Sequence, residues 1–155
     1  LASARFGPPQ AVATAALVAL SSRGLPVVRH SRWYVSAPLP AADQPDFING
    51  VAEIETTLPP AAVMAILHEI ETEFGRRRSV TNAARVLDLD LLAMGSQIRK
   101  DNPTLPHPRM HLRAFVLHPL IELAPNWRHP VLGRTAFELL EFLPPGQRIS
   151  LLAGV

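Results

Sequence analysis

The pattern of apolar and polar positions predicts helices and strands in mixed order along the chain. Apolar residues recur at three- and four-residue steps in several segments, as on the buried face of a helix. The predicted helices cover 8–20, 59–75, 113–124 (despite Pro119) and 134–142. Runs rich in β-branched or alternating residues predict strands over 27–35 and 47–55, paired antiparallel. Together these elements predict an α+β sandwich, with helices packed on a largely antiparallel sheet.

The run 85–92 predicts a further strand, and it places two carboxylates inside an otherwise apolar stretch. In an extended chain, residues i and i+2 share a face, so Asp88 and Asp90 should point together while the intervening leucines point the other way. Two adjacent carboxylates repel each other on a half-buried surface unless a cation lies between them. Magnesium commonly uses one or two carboxylates plus substrate phosphates. The pattern therefore leaves two interpretations, a magnesium site or a solvent-facing acid pair on an edge strand.

Composition limits the classes of function. The 155 residues suffice for one domain with a substantial core, and 48% of them are hydrophobic. The absence of cysteine excludes a disulfide, a thiolate nucleophile and a zinc–thiolate site within this sequence. We expect a soluble, cytoplasmic chain, because no apolar run reaches the length of a membrane span and the N-terminus lacks the pattern of a secretory signal. Neither a Walker-type loop nor a G-x-G-x-x-G motif is present.

Arginines lie on both sides of the acid pair, although the formal net charge is only +2. They are Arg76, Arg77, Arg78, Arg85, Arg109 and Arg113. The planar guanidinium group binds phosphate oxygens in pairs, so arginines around a magnesium-binding acid pair indicate a polyphosphate site. A solvated basic surface remains the alternative for 76–78. His107, held between two prolines, is a candidate phosphate donor or else a surface histidine.

A second group of residues suits a planar heterocycle. Phe47 and Phe115 offer flat faces, Asn49 offers an amide donor and acceptor, and the backbone of 36–39 offers further polar groups. Such residues could sandwich a ring and read its edge. The alternative is that both phenylalanines belong to the hydrophobic core.

Five ordered motifs carry a resemblance to a known enzyme family. They are DQPDFIN (43–49), GRRR (75–78), NAARVLDLDLL (82–92), LPHPRM (105–110) and RAF (113–115). In this order they resemble the 6-hydroxymethyl-7,8-dihydropterin pyrophosphokinases of folate biosynthesis, which transfer diphosphate from ATP to a pterin alcohol. The most specific motif is the Arg-x-x-Asp-x-Asp signature formed by Arg85, Asp88 and Asp90. The resemblance implies a ferredoxin-like sandwich.

The resemblance also implies a role for individual residues. Asp88 and Asp90 would hold two magnesium ions between the ATP phosphates and the pterin hydroxymethyl oxygen, and Arg76 and Arg85 would complete the catalytic group. The residues implied to bind ATP are His68, Glu71, Arg76, Arg78, Arg85, Leu91, Thr104, His107 and Arg113. The residues implied to bind the pterin are Ser36, Ala37, Leu39, Phe47, Asn49 and Phe115. The partners implied are these two small molecules, without nucleic acid or membrane.

The sequence departs from the family pattern in four places, two of which are single residues, Pro108 where tyrosine is common and His68 where glutamine is common. Many members have Trp-Gly-Pro where this chain has Asn82-Ala83-Ala84, and members open with a strand that ends just before the residue matching Leu1. Loss of an internal strand leaves unpaired backbone groups, so for the chain as given we expect low stability or oligomerisation in place of the family-like monomer. Two other functions stay open on the residues alone, a nucleic-acid-binding module and another magnesium-dependent nucleotide transferase.

Overall fold

Four α-helices, five strands and one 3-10 turn form the part of the chain that the computed structural model describes, residues 9–36, 47–75 and 87–152. The helices are α1 (Pro9–Ser22), α2 (Pro60–Glu73), α3 (Ala114–Leu123) and α4 (Ala136–Glu141), and the 3-10 turn is Met110–Leu112. The strands are β1 (Val27–His30), β2 (Tyr34–Ser36), β3 (Phe47–Asn49), β4 (Ala52–Ile54) and β5 (Ile149–Leu151). The α+β class is thereby confirmed, whereas the ferredoxin-like arrangement and the absent first strand stay predictions.

All four predicted helices are confirmed, and local sequence explains their ends. Pro60 stands at the first position of α2, where its missing N–H is no loss. Gly75 follows α2 with φ of 100°, a conformation that glycine adopts without strain. Thr135 and Glu138 form a reciprocal capping box at the start of α4. Within the described ranges, no helix is long and apolar enough to cross a membrane.

Each of the two predicted strands is divided in two by the structure. β1 pairs antiparallel with β4, and β2 pairs antiparallel with β3, so the predicted antiparallel pairing is confirmed. The prediction that 27–35 and 47–55 are continuous strands is wrong, because both segments leave the strand ladder, near Ser31 and Val51 respectively. There the Ser31 hydroxyl oxygen accepts a hydrogen bond from Val51 N at 2.9 Å, which replaces a backbone ladder bond.

A third strand, β5, completes the sheet of β2 and β3 and was not predicted. It lies antiparallel to β2, with Tyr34 opposite Leu151 and Ser36 opposite Ile149. The three residues of β5 carry little local signal, and their partner lies more than a hundred positions away. A pairing of this kind depends on tertiary context, which single-sequence patterns do not contain.

The segment 87–92 carries the two acids and is not a strand in the described structure, so that prediction is wrong. Its backbone is held by other groups: Leu89 N donates to the Glu71 carboxylate at 2.8 Å, and Leu92 O accepts from His107 N at 2.8 Å. The predicted alternation is nevertheless confirmed, because the leucines are half-buried while Asp88 and Asp90 are exposed.

Two hydrophobic clusters meet at this segment. The first joins α1 and α2, and Leu87, Leu89 and Leu91 pack against it. The second joins α3 and α4, and Leu92 packs against it. The segment 87–92 is therefore anchored on its apolar side by both clusters, which leaves its acidic side directed away from them.

Glu122 on α3 ties the helix to the start of β2. Its carboxylate accepts hydrogen bonds from Tyr34 Oη at 2.6 Å and from Arg32 N at 2.9 Å. Burial alone would raise the pKa of Glu122, but the bonds from Tyr34 and Arg32 outweigh it and hold that pKa below its usual value. These contacts hold the last turn of α3 beside the start of β2, the strand that ends at Ser36.

Replacement of Gly50 by alanine is expected to lower the free energy of unfolding by about 1–3 kcal/mol, the usual cost of overpacking. A Cβ at Gly50 would lie 2.7 Å from the Trp33 ring, closer than real contacts allow. Urea denaturation of the wild type, Gly50→Ala, Trp33→Leu and the double variant measures the effect. If the clash with the indole is the cause, Gly50→Ala will cost less in the Trp33→Leu background than alone, and equal costs would reject it.

Candidate active site

Asp90, His107 and Arg113 come together at one edge of the acid segment. Arg113 Nη1 lies 3.7 Å from Asp90 Oδ2, with the arginine side chain 26% exposed and the aspartate side chain 49% exposed. The charges of Asp90, Arg113 and Arg109 all act on the His107 ring. One carboxylate, one imidazole and two guanidinium groups thus share a small, partly open region.

His107 is held as a neutral donor. Arg109 N donates to His107 Nδ1 at 3.1 Å, so the ring proton of the neutral form lies on Nε2. Burial lowers the pKa of His107, Asp90 acts in the opposite direction, and Arg113 and Arg109 lower it further. A neutral imidazole with its proton on Nε2 can donate one hydrogen bond from Nε2 to a phosphate oxygen.

Gln147 fixes the backbone that carries Arg113, and sequence reasoning missed it. Its Oε1 accepts from Ala114 N at 2.8 Å, and its Nε2 donates to Leu112 O at 3.0 Å. The amide side chain therefore joins the end of the 3-10 turn to the start of α3. These partners lie 33 and 35 positions away in sequence, so no local pattern marks Gln147.

Asp88 and Asp90 fit a magnesium ion by the chemistry of their donors. Both side chains are exposed, and carboxylate oxygens are the ligands that magnesium prefers. Within the described residues, no cluster of three or more His, Cys, Asp or Glu side chains could hold a metal. Two protein carboxylates with the remaining positions left to phosphate and water match the usual magnesium site of a nucleotide enzyme.

The predicted pterin-binding residues on the sheet are neighbours. Ser36 lies opposite Phe47 in the β2–β3 register, and Asn49 Nδ2 donates to Ser36 Oγ at 2.8 Å. Ser36 is buried, so this bond fixes the orientation of the Asn49 amide. Phe47 is 40% exposed, which favours a binding face over a core position.

Arg113 links the acid segment to the second aromatic residue. Its Cζ lies 5.4 Å from the centre of the Phe115 ring, within range of a cation–π interaction. Phe115 is only partly buried and packs against the same hydrophobic cluster as Leu92. The Phe115 ring and the Asp90 carboxylate are therefore both within reach of one guanidinium group.

Four other residues predicted to bind ATP are described by the structure, and each has contacts of its own, apart from those of Asp90, His107 and Arg113. Glu71 is buried beneath the acid segment, and Leu91 packs against the first cluster. Thr104 Oγ1 donates to Lys100 O at 2.8 Å within its own loop. His68 lines an open cleft of about 350 Å³ with Arg23 and Glu69, at the surface between α1 and α2. Their contacts with ATP stay predictions.

The remaining predicted site residues lie outside the described residues. They are Ala37 and Leu39 for the pterin, and Arg76, Arg78 and Arg85 for ATP and catalysis, together with Arg77 of the basic run. Their roles rest on the sequence resemblance.

Comparison with known proteins gives a consistent result. The family described as 7,8-dihydro-6-hydroxymethylpterin-pyrophosphokinase (HPPK) matches residues 4–125. The chain is 42% identical over 132 residues to a 2-amino-4-hydroxy-6-hydroxymethyldihydropteridine pyrophosphokinase of Synechocystis, covering 84% of this chain and 65% of that protein. It is 48% identical over 120 residues to the protein of that name in Pseudomonas aeruginosa, and this match covers 76% of this chain and 73% of that protein. A mitochondrial folate synthesis bifunctional protein of Pisum sativum is 37% identical over 109 residues, covering 70% of this chain and 21% of that protein.

Proposed function

Because the chain belongs to the 7,8-dihydro-6-hydroxymethylpterin-pyrophosphokinase family, we propose that it transfers diphosphate from ATP to the hydroxymethyl group of 6-hydroxymethyl-7,8-dihydropterin. AMP is the second product. The reaction belongs to folate biosynthesis, in agreement with the name of the folate synthesis bifunctional protein of Pisum sativum.

The position of Arg113 is the observation that supports this proposal most directly. Its guanidinium group lies 3.7 Å from the Asp90 carboxylate and 5.4 Å from the centre of the Phe115 ring. The reaction needs the β-phosphorus of ATP next to the hydroxymethyl group of the pterin. A carboxylate for the metal and an aromatic face for the pterin, joined by one arginine, meet that need.

The two substrates take separate parts of the site. The pterin ring stacks between Phe47 and Phe115, and Asn49, oriented by Ser36, reads its edge with the backbone of 36–39. His107 donates from Nε2 to a phosphate oxygen, and Arg113 contacts the phosphates from the side of the pterin. By the resemblance, Arg76, Arg78 and Arg85 contact the phosphates as well, and His68, Leu91 and Thr104 contribute to the ATP site.

The chemical step is a displacement at phosphorus. The pterin hydroxyl oxygen forms a bond to the β-phosphorus, and the bond from that phosphorus to the oxygen bridging it to the α-phosphorus breaks. AMP leaves with the bridging oxygen, and the hydroxyl proton passes to solvent. The residues accelerate this step by positioning the two substrates and by neutralising phosphate charge.

Asp88 and Asp90 are the residues that would hold magnesium, and we propose two ions, as the resemblance implies. When bound, magnesium neutralises phosphate charge and lowers the pKa of the attacking hydroxyl. We also propose that residues 1–155 act as one domain, that the protein works in the cytoplasm on these two small molecules, and that nucleic acid is not a partner.

The nucleic-acid-binding alternative is not favoured. Asp88 and Asp90 are exposed, and paired acids repel a phosphate backbone that brings no tightly bound metal. A nucleotidyl transfer would leave diphosphate in place of AMP, so product analysis separates it from the proposed reaction.

The proposal is tested by incubating the chain with ATP, magnesium and the pterin alcohol and separating the products by chromatography. AMP and the pterin diphosphate should form in equal amounts, and neither should form without the pterin or with magnesium chelated. Release of diphosphate would support nucleotidyl transfer instead. ATP consumption that is independent of the pterin would reject the proposed acceptor.

A further inference from the structure

A buried carboxylate lies directly beneath the acid segment. Glu71, near the end of α2, is only 3% exposed, and its Oε2 accepts a hydrogen bond from Leu89 N at 2.8 Å. Leu89 stands between Asp88 and Asp90 in sequence. A bond to a charged acceptor is stronger than one between neutral groups, so Glu71 restrains the short piece of backbone from which both exposed acids project.

The surroundings make this restraint necessary. Within the described residues, the segment 87–92 does not pair with any strand. Its backbone N–H and C=O groups therefore need other hydrogen-bond partners. On the apolar side, Leu89 packs against the cluster that also contains Leu67 and Ile70 of α2. Helix α2 thus bonds the amide of Leu89 through the Glu71 carboxylate and also contributes residues to the cluster on which the Leu89 side chain packs. The helix is itself well anchored, because Ile70, next to Glu71, is completely buried.

We propose that Glu71 is a positioning residue for the metal-binding acids, an inference that rests on the proposed function. By holding the amide of Leu89, it sets the backbone from which Asp88 and Asp90 reach the metal before any substrate arrives. Partners that orient metal ligands commonly change metal affinity or activity by about 10–100-fold when they are removed. This role differs from the contact with ATP that the family resemblance implies for the same residue.

Three variants separate the two roles. Glu71→Gln keeps the shape and a neutral acceptor, and Glu71→Ala removes the acceptor. Glu69→Gln makes the same chemical change on an exposed side chain of α2 that pairs with Arg23. The Glu71→Gln variant keeps the test decisive if Glu71→Ala does not fold.

The first measurement needs no ligand. Amide hydrogen exchange of Leu89, followed by NMR in the free protein, should be equally slow in the wild type and Glu69→Gln. It should be faster in Glu71→Gln and, for a folded Glu71→Ala, faster by about tenfold or more, as expected for loss of a charge-assisted hydrogen bond. Unchanged exchange in Glu71→Gln and in any folded Glu71→Ala would overturn the positioning role.

The second measurement is the magnesium concentration that gives half-maximal AMP formation at saturating ATP. It should rise several-fold in Glu71→Gln and roughly 10–100-fold in Glu71→Ala, with a smaller change in KM for ATP at saturating magnesium. A raised KM for ATP with an unchanged magnesium requirement would overturn the proposal in favour of a direct ATP contact. If the wild type makes no AMP, the proposed function fails, and the exchange of Leu89 still decides whether Glu71 holds the acid segment.

Discussion

Asp90→Asn is expected to lower kcat for AMP formation by roughly 10³-fold while leaving the protein folded. The change removes one negative charge and one anionic metal ligand at the place where phosphate charge must be neutralised, and the loss of a single electrostatic group commonly costs about 10²–10³-fold. The side chain is about half exposed and its contact with Arg113 is 3.7 Å long. Exposed pairs of this kind contribute at most about 1 kcal/mol, so the fold should tolerate the change.

A matched control for this variant is Glu141→Gln, which alters an exposed carboxylate at the C-terminal end of α4. Steady-state rates with ATP and the pterin alcohol, together with thermal unfolding of both variants, provide the comparison. Glu141→Gln should keep the wild-type rate within about twofold, as expected for a surface change away from the substrates. An Asp90→Asn protein that keeps more than a tenth of the wild-type kcat would show that Asp90 is not a metal ligand.

Local patterns predicted the exposure of the acid segment correctly. Alternation of leucine and aspartate in 87–91 requires only that the chain be extended and one side be apolar, and both conditions are local. The strand itself was wrong because a strand also needs a partner. In the described structure Leu89 N bonds to a helix side chain 18 residues earlier, and that choice depends on how α2 packs.

The sequence could predict which site residues lie close together only where one short segment carries several of them. Motif 105–110 placed His107 next to Arg109, and the structure adds that the Arg109 amide selects the His107 tautomer. The contribution of Gln147 could not be predicted, because its partners Leu112 and Ala114 are brought to it by the pairing of β5 with β2. Long-range contacts of this kind leave no periodic signal in the sequence.

Arg113→Ala is expected to lower kcat/KM by about 10²–10³-fold, the second of the two largest effects. The guanidinium group is the described contact between the acid segment and Phe115, so its loss should weaken phosphate neutralisation and the placement of the pterin together. Arg113→Lys keeps the charge but loses the planar fork and its stacking on the ring, so it should recover only part of the activity.

The matched control is Arg128→Ala, which removes an exposed arginine paired with Glu138 and should change kcat/KM by less than about twofold. A cycle of Arg113→Ala and Phe115→Leu tests the link between the two substrates. If Arg113 acts through the ring as well as on the phosphates, the double variant will lose less than the product of the single losses. If the loss of kcat/KM in the double variant equals the product of the two single losses, the two residues are not coupled. That result would show that Arg113 serves the phosphates alone and that the pterin is placed without it. The same cycle repeated with Asp90→Asn in place of Phe115→Leu measures the other half of the link, since both changes remove charge from one ion pair.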